Sequence, residues 1–325
     1  MTTFIVQRLL SLIPLVLAVA LFSFVLIDAA PGDFLTELSL NPHVSPETIA
    51  SLRTKYGLDR PWYIQYFKWV RGMATGDFGY SFSYNRPVLD LIGERVINTS
   101  LLALISLLFA LTISIPFGVI AALYRYKWID KVLCSFSFLI LSFPSLFLSL
   151  LAMLFAASSG WFPIGGARSL GYENLSSIRK LTDFLHHAFL PALVLSLRMS
   201  AIYVRQVRVT LLDVLSQDYI RTARAKGLPK RMVIFKHGLR NALNPLISMF
   251  GNSLASLLSG AFVVEVVISW PGIGSLTLTA LLSRDPYLLM ACLTYASILL
   301  LGGNLLADLL LAFTDPRVRF VRANP

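Results

Sequence analysis

Four stretches of this chain, residues 96–124, 132–167, 241–264 and 286–307, contain no Asp, Glu, Lys or Arg. A helix crosses the hydrocarbon core of a bilayer with about 20 apolar residues, and each stretch is long enough. Composition agrees: 56% of the chain is hydrophobic and 14% is charged, where a soluble domain carries roughly 25% charge. The apolar runs are continuous rather than alternating over roughly ten residues, which excludes a transmembrane β-barrel. The fold class these features imply is an all-α polytopic membrane protein.

Six transmembrane helices are expected, at about 9–27, 99–123, 132–158, 186–204, 244–268 and 288–308. The first, with Arg8 before it and Ala18, Val19 and Ala20 within it, has some features of a secretory signal. Its apolar run continues to Ile27, past the roughly 7–15 residues of a signal core, so it is read as a span. The fourth starts at His186 and His187 and is interrupted by Arg198.

Charge sets the orientation. Segments 1–8, 124–131, 205–243 and the tail from 309 hold sixteen Lys and Arg against four acids, while 28–98, 159–185 and 269–287 hold eleven of each. Basic residues collect on the cytoplasmic side, so the N- and C-termini are expected there. The net charge of +11 is then a topology signal and argues against a nucleic-acid partner. Cys134 and Cys292 lie in apolar runs with no CxxC pattern, as small buried hydrophobes do. The organisation expected is a region 1–98, one span plus an external amphipathic segment, then a five-span core 99–311 carrying a cytoplasmic loop 205–243, then a tail 312–325. In the external segment Trp62, Tyr63, Tyr66, Phe67 and Trp69 cluster as in a helix lying on a membrane surface. A solvated loop with interfacial anchors and a partner-facing element both fit that pattern.

Loop 205–243 is punctuated for helices. Ser216 is a candidate N-cap, with Asp218 in the first turn, where a carboxylate suits the helix dipole. Lys226 closes the helix, and Gly227 stands where a left-handed residue ends one. Pro229 suits the first turn of a second helix, which Asn244-Pro245 would break. Ile220, Ala223 and Gly227 form a small smooth stripe flanked by Arg221 and Arg224. Such a helix could slot into a groove on another protein, or the whole could be an ordinary basic loop.

The segment from Tyr219 to Pro229 resembles the cytoplasmic EAA loop of ABC importer permeases, in the peptide/nickel branch typified by oligopeptide and dipeptide permeases. The general pattern is Glu-Ala-Ala, three residues, Gly, then nine residues and Ile-x-Leu-Pro. Ala223 and Gly227 match it, while Arg221 and Thr222 stand for Glu and the first Ala, His237 for Ile and Leu239-Arg240 for Leu-Pro. These departures resemble the variant of the peptide branch. The resemblance extends to Arg8, to 30–33 (Ala-Pro-Gly-Asp), to Tyr56 through Pro61 with Gln65 and Tyr66, and to Gly76 through Ser81. It continues with Glu265, with Pro271 through Gly274, with Arg284-Asp285 and with 315–319. Order and spacing together suggest the first of two paired permeases.

The resemblance implies a type I importer permease in a bacterial or archaeal cytoplasmic membrane. Its partners would be a second homologous permease, two ATPase subunits and an external substrate-binding protein. Ile220, Arg221, Thr222, Ala223, Arg224, Ala225, Lys226 and Gly227 would form the coupling helix that docks on one ATPase. The substrate expected is a di- or oligopeptide, with nickel chelates or glutathione as alternatives. The chain has no GxxxxGK[ST] phosphate loop, so it is expected to be no enzyme and to bind no cofactor, with ATP and Mg held by the partners.

Charged residues inside spans are functional candidates. Glu265 stands six residues before Pro271, about 9 Å of helix. It is a candidate for the pathway or a permease contact, with helix packing as its alternative. Arg198 is a pathway candidate near the cytoplasmic end of its span, from where it could instead snorkel. Asp308 falls at the inner boundary. Pro116, Pro144 and Pro191 are expected to kink or open their helices. An ion-driven secondary transporter would want paired carboxylates or histidines deep in the spans, and only Glu265 approaches that. An intramembrane enzyme lacks HExxH and GxSxG here, and His186-His187 alone is a weak metal signal.

Overall fold

The structure, a computed structural model, describes residues 2–29, 35, 39, 44–57 and 59–314. The motif residues 30–33, 58 and 315–319 lie outside the described residues, as do the side chains of Arg8 and Asp308. The elements in order are α1 (Thr2–Ala29), α2 (Pro46–Tyr56), α3 (Trp62–Ala74), the two-stranded antiparallel hairpin β1 (Tyr80–Ser81) and β2 (Arg86–Pro87), then α4 (Val88–Leu123). Next come α5 (Trp128–Ser142), α6 (Ser145–Ser159), α7 (Ser177–Leu215) and α8 (Asp218–Ala225). The chain closes with α9 (Lys230–Met232), a π-helical turn (Val233–Leu239), α10 (Arg240–Ala242), α11 (Asn244–Val267), α12 (Ile273–Leu282) and α13 (Pro286–Thr314).

The six expected spans map onto α1, α4, the α5–α6 pair, α7, α11 and α13. Among the described residues α4, α7 and α13 are long and apolar enough to cross a membrane, and the α5–α6 pair passes the same test only when its two helices are taken together. The span expected at 132–158 consists of two helices, with a bend of 101° at the break between them. The cause is local. Phe143 precedes Pro144, and the proline ring disfavours the helical conformation of the residue before it. Phe143 accordingly sits extended, at φ −88° and ψ 133°. Pro116 and Pro191, in contrast, lie inside unbroken helices. The segment 269–287, counted by charge as external, contains α12, whose Ile273, Leu276 and Ala280 are buried.

The chain forms two compact units, residues 1–99 with 271–301 and residues 100–270 with 302–325. Segment 271–301, grouped by sequence with the five-span core, thus packs with the N-terminal part.

In the first unit, Ala20 and Phe24 of α1, Tyr66 and Trp69 of α3, Val88 and Ile92 of α4, and Leu276 and Leu288 of α12 and α13 share one apolar core. Tyr66 Oη donates to the Leu17 carbonyl at 3.0 Å, and Trp69 Nε1 to that of Phe78 at 3.3 Å. Asp285, fully buried, fastens the hairpin to α13. One carboxylate oxygen accepts from Ser81 Oγ at 2.7 Å, Ser83 Oγ at 3.0 Å and the Ser83 amide at 3.1 Å; the other accepts from the Leu288 amide at 3.2 Å. The motif pieces at 76–81 and 284–285 therefore meet in space. Gly79 sits at φ +88°, where an L side chain is strained, and a Cβ there would also stand a tight 3.2 Å from the Tyr287 ring.

In the second unit α7 is the central element, packed against α5, α6 and α11. Its Val194, Leu195, Met199, Tyr203, Val207 and Leu211 form a buried line, as the spacing of a helix face requires. Gly118 lets α4 approach α7 closely: a Cβ there would lie 2.6 Å from Val207 Cβ and 2.9 Å from the Val204 carbonyl oxygen.

Candidate functional site

The short helix α8 is fixed at both ends by its sequence. Its N-cap is Gln217 in an extended conformation, not Ser216, which closes α7 in a right-handed conformation and donates its hydroxyl to the Asp213 carbonyl at 2.7 Å. That correction has a simple cause. Ser216 and Asp218 stand two residues apart, and α7 runs on to Leu215, so the turn between the helices leaves room for a single extended residue. The other end matches expectation. Lys226 is the C-cap and Gly227 adopts φ +73°. The Gly227 amide donates to the Arg224 carbonyl at 3.0 Å and the Leu228 amide to that of Ala223 at 3.4 Å, the reciprocal pair of a Schellman end. Beyond it Pro229 serves as N-cap of α9, one position ahead of the first turn. The break expected at Asn244-Pro245 is no more than a turn residue, Leu243, between α10 and α11.

The faces of α8 differ sharply. Ile220 and Ala223 are buried against Val214, Leu215, Leu228 and Val233 of the chain itself. The smooth stripe thus points inward and anchors the helix, with only Gly227 of the three exposed. Arg221, Thr222, Arg224, Ala225 and Lys226 are exposed. The Arg221–Asp218 pair, at 3.3 Å and solvent-exposed, adds little stability. Tyr219 Oη accepts from Asn241 Nδ2 at 2.9 Å, tying α8 to α10. A cationic hollow of about 420 Å³ is lined by Lys236, His237, Arg240, Asn241 and Asn244.

A further fastening was not visible in the charge count. Asp130, at the start of α5 and 3% exposed, receives both arms of the Arg208 guanidinium, Nε at 2.5 Å and Nη2 at 2.7 Å. The same carboxylate accepts from the Tyr126 amide at 2.9 Å and from Cys134 Sγ at 3.4 Å. The bond from Arg208 is the largest influence on the Asp130 carboxyl, which is held down to about 2 against the cost of burial. The pair joins α5 to the last two turns of α7, the stretch that leads into α8. Counting loop charges treats Asp130 and Arg208 as separate terms. Only a hint remains in sequence, that Asp130 is the single acid in the basic loop 124–131.

Arg198 and Glu265 separate. Arg198, exposed on α7 seven residues before Arg205, opens onto a cavity of about 550 Å³ bounded by α6, α7 and α11. Glu265 is fully buried, its carbonyl accepting the Trp270 amide at 2.9 Å, and it does not line that cavity. His186 and His187 are each within 2.9 Å of a carbonyl oxygen, of Trp161 and Asp183. Among the described residues no three His, Cys, Asp or Glu side chains gather as metal ligands.

Residues 114–320 match the family described as binding-protein-dependent transport system inner membrane component, and residues 1–103 match its N-terminal companion. The chain belongs to this family. It is 43% identical over 322 residues, 98% of this chain and 100% of the other, to the oligopeptide transport system permease protein AppB of Bacillus subtilis. It is 35% identical over 321 residues to the glutathione transport system permease protein GsiC of Escherichia coli K12 and to that of Salmonella typhi, with 98% of this chain and 100% of each relative covered. The chain is thus the membrane permease of an ABC importer, as the resemblance at 219–229 implied. The importer family explains why the apolar blocks recur along the whole length.

Proposed function

We propose that this permease moves di- or oligopeptides inward across the cytoplasmic membrane, as one half of a pathway completed by a second, homologous permease. Two ATPase subunits drive the transport and an external binding protein delivers the substrate. What carries this reading is the 43% identity, over 98% of the chain, to a permease named for oligopeptides. The N-terminus lies inside, because sixteen of the basic residues then fall on cytoplasmic segments.

One ATPase docks on the residues 220–227. The internal anchor of Ile220 and Ala223 supports this role, since a helix that transmits force must be held by its own subunit while its other face meets the partner. Arg221, Arg224 and Lys226 present that other face. Movement of the ATPases then reaches α7 through the Ser216–Gln217 turn. The Asp130–Arg208 clamp passes it to α5, a rigid-body transition rather than a local flexing.

Glutathione, itself a tripeptide with an unusual γ-linkage, is a second reading favoured by the 35% relatives. Uptake by the assembled importer in proteoliposomes separates the two. Labelled tri-alanine enters with ATP and stops without it, while glutathione at the same concentration enters slowly. Preferential uptake of glutathione reverses the assignment. Uptake of tri-alanine without ATP overturns the coupled mechanism.

A further inference from the structure

We propose that Arg198 is a binding residue of the permease itself, taking the free carboxylate of the peptide in transit; the inference rests on the peptide reading above and adds the group that is recognised. A guanidinium within a span is costly unless it faces water, a partner charge or a ligand. Among the described residues no hydrogen bond, ion pair or ring contact engages it. The nearby Arg205 is different, since its guanidinium lies 4.2 Å over the Phe138 ring. Arg198 therefore has its five donors to offer, in the planar fork that matches a carboxylate at two points.

The walls of the cavity narrow the choice of ligand. Its volume, about 550 Å³, lies in the roughly 300–1,000 Å³ range of small-ligand sites. On α11, Ser253, Ser256 and Ser259 recur at every third residue along the cavity and supply a flank of hydroxyls. Ser253 is already engaged with Tyr203 Oη, while Ser256 and Ser259 are not engaged among the described residues. Leu148, Leu257 and Val263 supply apolar wall. An inorganic anion would use the arginine and waste the apolar walls. A short peptide uses both, with its terminal carboxylate on Arg198, its amides on the serines and its side chains against the leucines and valine. One cation with hydroxyl partners also binds loosely enough to release, as a conduit requires.

The test uses the complete importer in proteoliposomes, driven by binding protein saturated in turn with tri-alanine and with its C-terminal amide, so that the affinity of the binding protein drops out. The parent favours the free acid. Arg198→Gln lowers the acid-to-amide rate ratio by about tenfold, the worth of one charge-assisted pair. Arg198→Lys, which keeps the charge but loses the fork, falls between and serves if the first variant fails to assemble. An unchanged ratio in both variants overturns the proposal. An equal fall for both peptides also overturns it, placing Arg198 in packing with the assembly instead. If the parent carries neither peptide, the peptide reading itself fails, and the carboxylate site falls with it.

Discussion

Two short helices, α3 and α8, are held to their units in the same way and present opposite chemistry outward. In α3, Tyr66 and Trp69 are buried three residues apart; in α8, Ile220 and Ala223 are. Outside, α3 exposes Trp62, Tyr63 and Phe67, the last 68% exposed, whereas α8 exposes Arg221, Arg224 and Lys226, with the Arg221 side chain 73% exposed. An i, i+3 pair fixes which face turns inward, and the remaining face names the neighbour. Aromatic rings with a polar edge suit a membrane–water interface, while a compact cationic face suits a protein surface bathed in water. The same device thus turns an aromatic face outward in one helix and a cationic face outward in the other.

The strongest way to break this comparison is to remove an anchor. Trp69→Ala loses a buried indole and its hydrogen bond to the Phe78 carbonyl. It should cost about 4 kcal/mol, the middle of the range for large aromatic truncation in a core, read as a lowered unfolding temperature in detergent. Ile220→Ala sits in a smaller cluster and should cost about 2 kcal/mol, at the low end for such truncations. Its sharper readout is trypsin, which should cut at Arg221, Arg224 and Lys226 faster than in the parent.

The clamp behind α8 gives a pH prediction. The Asp130 carboxyl is lowered from 3.8 to about 2, so its contribution is fully present above the unfolded value near 4 and is lost as pH falls through about 2. At about 1.4 kcal/mol per unit, this amounts to about 2 kcal/mol. Stability should therefore be flat in this term from pH 7 to 5. A fall between pH 4 and 2 should appear in the parent and vanish in Asp130→Asn with Arg208→Gln. Gly227→Ala forces a Cβ into a left-handed turn and should cost about 1 kcal/mol, visible as fraying of α8 by hydrogen exchange. The smallest effect sharpens the comparison most. Arg221→Ala touches only an exposed pair, so stability should stay within error while transport per ATP falls.

Sequence made the spans legible because burial in lipid requires whole blocks without charge, a signal that needs no knowledge of contacts. Gly227 was legible for a similar reason, since the left-handed end is a property of one residue. Ser216 was not, because an N-cap depends on where the preceding helix stops, and α7 stops only at Leu215. The bend at Phe143 was half legible. Pro144 announces an interruption, but Pro116 and Pro191 carry the same chemistry without one. The inward turn of Ile220 and Ala223 depends on Val233 and Leu215 folding back over α8. The Asp130–Arg208 pair lies 78 residues apart in sequence, beyond any local pattern. Arg198 was legible as an oddity within a span, whereas the cavity that gives it meaning required three helices to converge.

The central claim is that α8 couples this permease to an ATPase through its cationic face. Co-purification from native membranes through a tag on this chain tests it most directly, comparing the parent with Arg221→Glu combined with Arg224→Glu. The parent should bring down the second permease and the ATPases, and the double variant should keep the second permease while losing the ATPases. Retention of the ATPases by the double variant would contradict the account, and so would transport by a parent chain that emerges alone.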